Sequence, residues 1–399
     1  MEKRRSNSGR IVPFPRQRPV RALPTILSMT SFDVQVRGSG IVGQSLALAL
    51  ARLGLRVALR RAPPRAAGSE DVRAYALNAA SVSLLRSFKV WDSLPAEAVT
   101  VVHDMQVHGD AAGAMLEFSA WEQGVGALAW ITDAAALERE LAAAIKFAPH
   151  VSVVDADATV NAPLTAWCDG KASAGRDALG VSFERREHGQ RAIAARLTSS
   201  RAHQGAARQW FRSPDVLALL PFDSPLPQRS YALVWSLPTV QAESMLALDD
   251  AGFAQAVAHA TEGALGELQL ASARQSWPLM QARASAWSGP GWVLLGDAAH
   301  VVHPLAGQGL NLGLADVAAL AKVIGERETW RALGDAKLLR RYDRERLTPT
   351  WAMDQVTDGL LQLFSRADPA ARELRNRGLS LLNQLTPLKR WLTARALDA

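Results

Sequence analysis

The sequence predicts an α/β fold in which a parallel sheet with flanking helices carries an inserted, mostly antiparallel β-sheet lobe and is followed by C-terminal helices. Three observations predict it. A strand–helix–strand pattern begins near residue 32, residues 178–285 are rich in β-type segments, and an apolar strand near residue 292 is followed by another helix. An apolar strand of this kind is typical of a parallel sheet that is covered on both faces.

The first of these patterns is a βαβ unit. Residues 32–37 predict a strand, residues 44–53 carry Ala and Leu at helical spacing, and residues 55–59 predict a second strand. Gly54 stands where a helix commonly ends. The short glycine-rich stretch between the first strand and the helix is therefore a tight turn at the carboxyl end of a strand.

The later elements follow from the same periodicities. They are predicted as a helix at 134–148, strands at 151–154, 191–197, 216–220 and 231–237, one helix near 249–268, a strand at 292–295, a helix at 310–324 and a mostly helical tail over 335–397. We assign residues 32–102, 125–177 and 286–345 to a discontinuous first domain, 103–124 and 178–285 to the β-sheet domain, and 346–399 to C-terminal helices.

Composition excludes several classes of protein. The chain has 399 residues, enough for about two domains, and a single cysteine, Cys168, so it cannot form an internal disulfide. No segment approaches the roughly 20 apolar residues of a membrane span. Residues 1–28 hold seven Lys or Arg against one acid, so the remaining chain is nearly neutral and nucleic acid binding is not expected.

The basic N-terminal segment is rich in Pro and Ser and lacks apolar periodicity. We expect residues 1–31 to be disordered or a non-native extension, with Met29 as an alternative start. The segment has no apolar stretch long enough for a secretory signal, so we expect a cytoplasmic protein.

The glycine-rich turn has the spacing Gly38-x-Gly40-x-x-Gly43. In dinucleotide-binding turns the first glycine permits the tight turn, the second lets a pyrophosphate approach the backbone, and the third lets the helix pack close to the strand. The pyrophosphate then lies at the helix N-terminus, where free N–H groups favour anions. Placed between a strand and a helix, the motif predicts a dinucleotide site.

One position departs from this pattern. The acid that normally accepts hydrogen bonds from the adenosine ribose is replaced by Arg61, beside Arg60. A guanidinium has only donors, so it cannot take that role. Either it meets a phosphate, as in sites that prefer the 2′-phosphate of NADP, or the two arginines are a solvated pair at a strand end.

A second motif covers residues 295–316 and begins with Leu295-Gly296-Asp297. Asp297 follows an apolar strand, at the edge where open α/β sheets bind ligands. Its carboxylate is suited to accept hydrogen bonds from the ribityl hydroxyls of a flavin, and Gly307 and Gly309 let backbone approach an isoalloxazine ring. The helix that follows points its positive end at that ring, which stabilises an anionic reduced flavin.

This stretch, above all the run from His303 to Asp316, resembles the signature of the ubiquinone-biosynthesis hydroxylase family, in the p-hydroxybenzoate hydroxylase class of FAD-dependent aromatic monooxygenases. Other patches are similar to the family as well. They are Asp71-x-Arg73-x-x-Ala76-Leu77, Asp169-Gly170-x-x-Ser173-x-x-Arg176, and the C-terminal Arg341-Tyr342-x-x-Glu345-Arg346 and Asp358-Gly359-Leu360. The family's β-meander is expected to be trimmed here, because only residues 155–168 separate the strand at 151–154 from Asp169.

The resemblance implies a Rossmann-like FAD-binding domain with an inserted substrate domain, and it implies which residues bind the cofactor. The cofactor-binding residues are expected to be Gly38, Gly40, Gly43, Arg73, Asp169, Gly170, Gly296, Asp297, Gly307, Gln308, Gly309, Leu310 and Asn311. His300, His303 and Pro304 are candidates for the ring pocket. A metal site at the two histidines is not expected, since no acid or thiol cluster joins them.

The implied reaction is hydroxylation of a phenolic, polyprenylated ring, in which NAD(P)H reduces FAD and O2 supplies the oxygen atom. A lipid-tailed substrate implies peripheral contact with the inner face of the membrane, and a ubiquinone-biosynthesis complex is a further expected partner. The C-terminal segment from Leu379 to Arg395 is dense in Leu and carries Trp391 with nearby cations, a composition suited to a membrane interface or to packing on the FAD domain. The alternative function is a weak or silent family member that serves as a flavin-binding scaffold.

Overall fold

The computed structural model describes residues 31–61, 71–109, 115–212, 214–302 and 309–365, without the side chains of residues 349, 352–354 and 356–365. The strands are β1 (Val34–Arg37), β2 (Val57–Arg60), β3 (Ala74–Leu77), β4 (Val99–Val102), β5 (Asp104–His108), β6 (Met115–Ser119), β7 (Ala129–Asp133), β8 (Val151–Val154), β9 (Leu164–Trp167), β10 (Phe183–Ser199), β11 (Ala206–Arg212), β12 (Asp215–Phe222), β13 (Ser230–Pro238), β14 (Leu268–Leu270), β15 (Gln275–Ala284), β16 (Ser288–Gly289), β17 (Trp292–Leu294) and β18 (His300–Val301). The α-helices are α1 (Ile41–Arg52), α2 (Ala79–Ser87), α3 (Ala120–Gln123), α4 (Ala134–Lys146), α5 (Ala174–Ala178), α6 (Thr239–Ala247), α7 (Asp250–Ala260), α8 (Gly309–Gly325) and α9 (Ala336–Ser365).

The first sheet has the strand order β16-β17-β9-β1-β2-β8. All neighbours are parallel except β16 and β17. Taken in chain order, the five parallel strands run 3-2-1-4-5 from β8 to β17, which is the order of a doubly wound Rossmann-like sheet. Helices α1, α4 and α8 pack together, and their apolar side chains share one core with those of the sheet. The predicted α/β class is confirmed.

The second sheet has nine strands, in the order β18-β15-β10-β13-β12-β11-β5-β6, with β14 paired to β10. Every pairing is antiparallel except that of β11 with β5. Alternate side chains of β10 and β13 point to opposite faces. One face, with Ile193, Leu233 and Trp235, packs on Phe253 and Val257 of α7. The inserted, mostly antiparallel sheet expected from the sequence is present.

A third sheet of three antiparallel strands, β3-β7-β4, packs on the other face of the nine-stranded sheet. Ile131 of β7 shares a core with Ala207 and Phe222 of the larger sheet. Arg196 of β10 donates to the carbonyl oxygen of Arg73, 3.0 Å away, and to the carboxylate of Asp133, also 3.0 Å away. The face of β10 that carries Arg196 is therefore turned toward β3 and β7.

The helix predicted near 249–268 is present as the shorter α7, and the expectation of a single helix in this part of the chain is wrong. Two helices, α6 and α7, lie between β13 and β14, and Leu248 between them is extended. Asp249 caps α7 by accepting a hydrogen bond from the amide of Gly252, at 2.7 Å. Gly263 and Gly266 adopt positive φ after α7, and residues 268–270 then pair with β10 as a strand. Helix capping sets where α7 begins, and strand pairing sets where β14 lies. The spacing of apolar residues in the sequence indicates neither.

The other predicted elements agree with the structure within a few residues, except that β10 begins at Phe183, well before the predicted strand at 191–197. The connection from β8 to β9, residues 155–163, contains no strand, so the expected shortening of the meander is confirmed for this described segment. Of the helical tail, α9 covers 336–365, and the rest lies outside the described residues, as do residues 1–30. Among the described helices, none is both long and apolar enough to cross a membrane.

Candidate active site

The turn between β1 and α1 has the packing that its three glycines predict. A Cβ at Gly38, whose φ is +110°, would collide with the carbonyl group of Cys168, and a Cβ at Gly43 would collide with the carbonyl oxygen of Gly38. A Cβ at Gly40 would meet no atom within 4 Å. Two glycines thus close the turn, while Gly40 borders open space at the amino end of α1, where no side chain caps the helix. This space suits a pyrophosphate.

The amino ends of two helices meet beside the Asp297 loop. Val42, in the first turn of α1, lies where a Cβ at Gly296 or at Gly313 would contact it, at 3.3 Å and 2.7 Å. Gly296 belongs to the 3-10 helix that carries Asp297, and Gly313 lies near the start of α8. The absence of side chains at these glycines lets α1, α8 and the loop approach closely. An anionic or electron-rich group bound here would interact with two helix N-termini.

Asp297 itself is exposed on one side and surrounded by protein on the others. Burial by these atoms raises the pKa of its carboxyl group, and the positive charges of His300, Lys171 and Arg73 partly oppose the shift. A carboxylate accessible at the carboxyl edge of a parallel sheet can accept hydrogen bonds from ligand hydroxyls.

Arg73 is tied to neighbouring acids. Its Nε and a terminal nitrogen donate to the two carboxylate oxygens of Asp71, at 2.8 Å and 2.6 Å, and Glu138 lies 3.7 Å away. The hydrogen bonds to Asp71 hold the pKa of the guanidinium above its ordinary value. The neighbouring Tyr75 has a pKa raised to about 12, chiefly by burial and in small part by Asp297, so its hydroxyl stays protonated at neutral pH. The motif did not single out Tyr75, although its pKa responds to the charge of Asp297.

A buried charged network supports the loop from below. Asp316 of α8 is fully buried and accepts hydrogen bonds from the amide of Gly296 (2.9 Å), from Nε2 of His300 (2.7 Å) and from Nε of Arg346 (2.8 Å). Burial acts to raise the pKa of Asp316, but the charges and hydrogen bonds of His300 and Arg346 outweigh it and lower that pKa. His300 also stacks on Trp287, at 4.8 Å between ring centroids. The contacts of His300 are therefore with the buried residues that hold the Asp297 loop, and not with a ring pocket as the sequence suggested.

Asn311, in the first turn of α8, joins that helix to the segment between β3 and α2. Its Oδ1 accepts from the amide of Asn78 (3.1 Å) and the hydroxyl of Ser81 (2.8 Å), and its Nδ2 donates to the carbonyl oxygen of Ala76 (2.8 Å). Leu310 is buried beside it, and a Cβ at Gly309 would meet open space. His303, Pro304, Gly307 and Gln308 lie outside the described residues.

The Asp169-Gly170 segment follows β9 directly. Asp169 is exposed, and Gly170 turns the chain with φ +83°. Arg176, fully buried in α5, donates to the carbonyl oxygens of Ala298 (3.2 Å) and Lys171 (3.3 Å). It therefore joins the Asp297 loop to the Asp169 segment. The motif includes Arg176, but no local spacing relates it to Ala298, which lies 122 residues away in the chain.

The parallel sheet, its glycine turn and the accessible carboxylate between two helix N-termini define a dinucleotide-binding flavoprotein fold with an added substrate sheet. The residues present fit FAD: the space at Gly40 suits its pyrophosphate and Asp297 its ribityl chain. Residues 107–357 match the family model described as FAD binding domain. The chain belongs to this family, and it is an FAD-dependent monooxygenase.

Individual relatives agree over most of the chain. It is 30% identical to ubiquinone hydroxylase UbiL of Rhodospirillum rubrum, over 90% of this chain and 87% of that protein. It is 28% identical to the 3-demethoxyubiquinol 3-hydroxylase of Escherichia coli, over 90% and 96%. The structure of PqsL, a probable FAD-dependent monooxygenase from Pseudomonas aeruginosa, superposes with a TM-score of 0.73 at 21% identity and covers 88% of this chain and 99% of that one. This last likeness concerns the fold.

Proposed function

We propose that the chain hydroxylates the phenolic ring of a polyprenylated ubiquinone precursor, with FAD as cofactor, NAD(P)H as reductant and O2 as the source of oxygen. The observation that carries this proposal is the similarity to two ubiquinone-ring hydroxylases over about nine tenths of the chain. Their names support a hydroxylase more than a silent scaffold.

The nine-stranded sheet offers a wall for a flat ring. Opposite the face that packs on α7, β10 and β13 carry mainly small residues, among them Ala192, Ala194 and Ala232. Arg196 belongs to the same face, and its contacts with Asp133 and Arg73 turn this face toward the side of Asp297. An aromatic substrate is proposed to bind on this side of the sheet, where the side chains of β10 and β13 are small.

FAD, when bound, supplies the oxygen-transfer chemistry once it has been reduced. We assign to the protein the tasks of binding, orientation and electrostatics. In this assignment Asp297, Gly38, Gly40, Gly43, Gly296, Gly307, Gln308 and Gly309 hold the cofactor, with Arg73, Asp169, Gly170, Leu310 and Asn311 around it. The amino end of α8 contributes partial positive charge, and the apolar sheet face excludes water from the ring.

The test is a turnover assay on the purified protein with FAD, NADH or NADPH, and a short-chain prenylated phenol. We expect the mass of the product to rise by one oxygen atom, and 18O2 to label it. The variant Asp297→Ala is the negative control, and it should form little hydroxylated product. If the protein binds FAD fully and yet oxidises NAD(P)H without hydroxylating any such phenol, the scaffold function is favoured.

To bind a lipid-tailed substrate, the protein must also contact the bilayer that holds it. We propose peripheral contact through the segment Leu379–Arg395, on its composition alone, because it lies outside the described residues. Flotation with anionic vesicles at low salt decides this: the wild type should float, and the pair Trp391→Ala with Lys389→Glu should not. Wild-type protein that stays in the soluble fraction would refute the contact.

A further inference from the structure

Three side chains form a row across the carboxyl ends of neighbouring strands. Arg37 ends β1, Arg60 ends β2 and Trp167 ends β9, and Arg37 is the register partner of both others. Partners in a parallel sheet stand about 4.8 Å apart and point to the same face. The guanidinium of Arg37 lies over the indole of Trp167, with 4.4 Å between Cζ and the ring centroid. The row ends directly before Gly38, where the dinucleotide turn begins.

Neither arginine of this row is paired with a carboxylate among the described residues. Within the described part of the chain, the Arg37 side chain forms no hydrogen bond or ion pair, and Arg60 donates only to the carbonyl oxygen of Ala158. The Nε of Arg60 is buried without a partner among those residues. Burial and the charge of Arg60 lower the pKa of Arg37, and Asp169 opposes them. Two cations held side by side in this way favour an anion between them.

Arg61 adds a third charge at the same edge. Its amide continues the β2–β8 pairing by donating to the carbonyl oxygen of Val154, at 2.9 Å, and its side chain is exposed. It occupies the position where a carboxylate would accept hydrogen bonds from the adenosine ribose. Guanidinium groups are poor partners for ribose hydroxyls that must donate, and they are strong partners for phosphate oxygens.

We propose that Arg37, Arg60 and Arg61 bind the phosphate groups of the ADP half of FAD, so that this chain holds the cofactor's adenosine end by charge instead of by a ribose-binding carboxylate. The inference rests on FAD binding at the Gly38 turn and concerns residues in which the chain departs from the dinucleotide pattern. The open space at Gly40 suits a pyrophosphate, and Arg37 precedes this glycine by three residues in the chain. Charge-assisted contacts of this kind weaken as salt rises.

Release of FAD from the holoprotein, followed by flavin fluorescence on dilution, tests the proposal. Arg37→Gln should weaken FAD retention by about tenfold or more, the usual effect of losing a hydrogen bond to a charged group. It should also flatten the dependence of FAD affinity on salt. Arg56→Gln is the matched control, because Arg56 precedes β2 at the opposite edge of the sheet and pairs with Asp33. It should behave as wild type.

Arg61→Glu gives a result of opposite sign for the two possibilities. If Arg61 contacts phosphate, the new acid repels it and FAD is lost faster. If the position still faces the ribose, the restored carboxylate tightens FAD and the proposal is overturned. Equal FAD release and equal salt dependence for Arg37→Gln, Arg56→Gln and wild type would also overturn it, and would leave the row as packing over the short 155–163 connection.

Competition identifies which phosphate is bound. ADP should displace FAD from the wild type, and Arg37→Gln should weaken the binding of ADP to the apoprotein as it weakens the binding of FAD. If adenosine 2′,5′-bisphosphate displaces FAD at least tenfold better than ADP, the arginines read a ribose phosphate and the assignment to FAD is wrong. A wild-type protein that holds no FAD in any condition would instead count against flavin binding by the chain, which is a separate result.

Discussion

Asp297 is the residue whose environment most directly fits cofactor binding. It is accessible at the carboxyl edge of the parallel sheet, and the positive charges of Lys171 and Arg73 act on it. Since the side chain contributes acceptors and little packing, its removal should leave the fold intact. Its role could be predicted from the sequence, because a carboxylate that follows an apolar strand lies at the carboxyl edge of the sheet, where ligands bind.

Asp297→Ala should bind FAD about 10- to 100-fold more weakly, the usual effect of losing hydrogen bonds to a charged group. Flavin absorbance per mole of purified protein measures this, with circular dichroism to monitor the fold. Asp92→Ala removes an exposed carboxylate from the 3-10 helix Trp91–Ser93 and should keep full flavin content. Full flavin content and unchanged turnover in Asp297→Ala would remove this residue from the site.

At the scale of single elements, the first turn of α8 depends on Asn311. Asn311→Ala leaves the amide of Asn78 and the carbonyl oxygen of Ala76 without their buried partner. We expect the free energy of unfolding to fall by about 1–3 kcal/mol. Urea denaturation measures it. Asn161→Ala, at an exposed asparagine of the 155–163 connection, is the control and should lie within about 0.5 kcal/mol of wild type. A loss for Asn311→Ala as small as that of the control would show that water replaces these bonds.

At the scale of the whole molecule, Asp316 joins parts of the chain that are far apart in sequence: the Asp297 loop, β18, α8 and α9. Asp316→Asn keeps the shape but removes the charge that His300 and Arg346 face. Removing one partner of a buried pair costs about 3–5 kcal/mol, so a fall of that size in the free energy of unfolding is expected at pH 7.

The pH dependence of this difference has a definite sign. The pKa of Asp316 is lowered in the folded state, so its stabilisation is fully present above the unfolded-state pKa of about 3.9. It is lost as the pH falls through the lower folded-state pKa. The gap between wild type and Asp316→Asn should therefore be constant from about pH 5 to 7 and narrow only below about pH 4. A gap that already closes near pH 6 as the pH falls would contradict this assignment to Asp316.

The sequence by itself determined the local part of this protein: the βαβ unit, the glycine turn and the carboxylate after an apolar strand. Each follows from residues within a short window, because the conformation of a turn and the period of a helix or strand are local properties. The packing around Gly38 and Gly43 agrees with the roles that their spacing alone predicted.

Only the tertiary structure decided what joins these parts. Asp316 with Arg346, Arg176 with Ala298, and Arg37 over Trp167 bring together residues that no spacing rule relates. The same reason explains why the helix predicted near 249–268 ends at Ala260, since residues 268–270 pair with β10 as a strand. Pairing across strands and burial of charge depend on partners distant in the chain, and those partners exist only once the chain has folded.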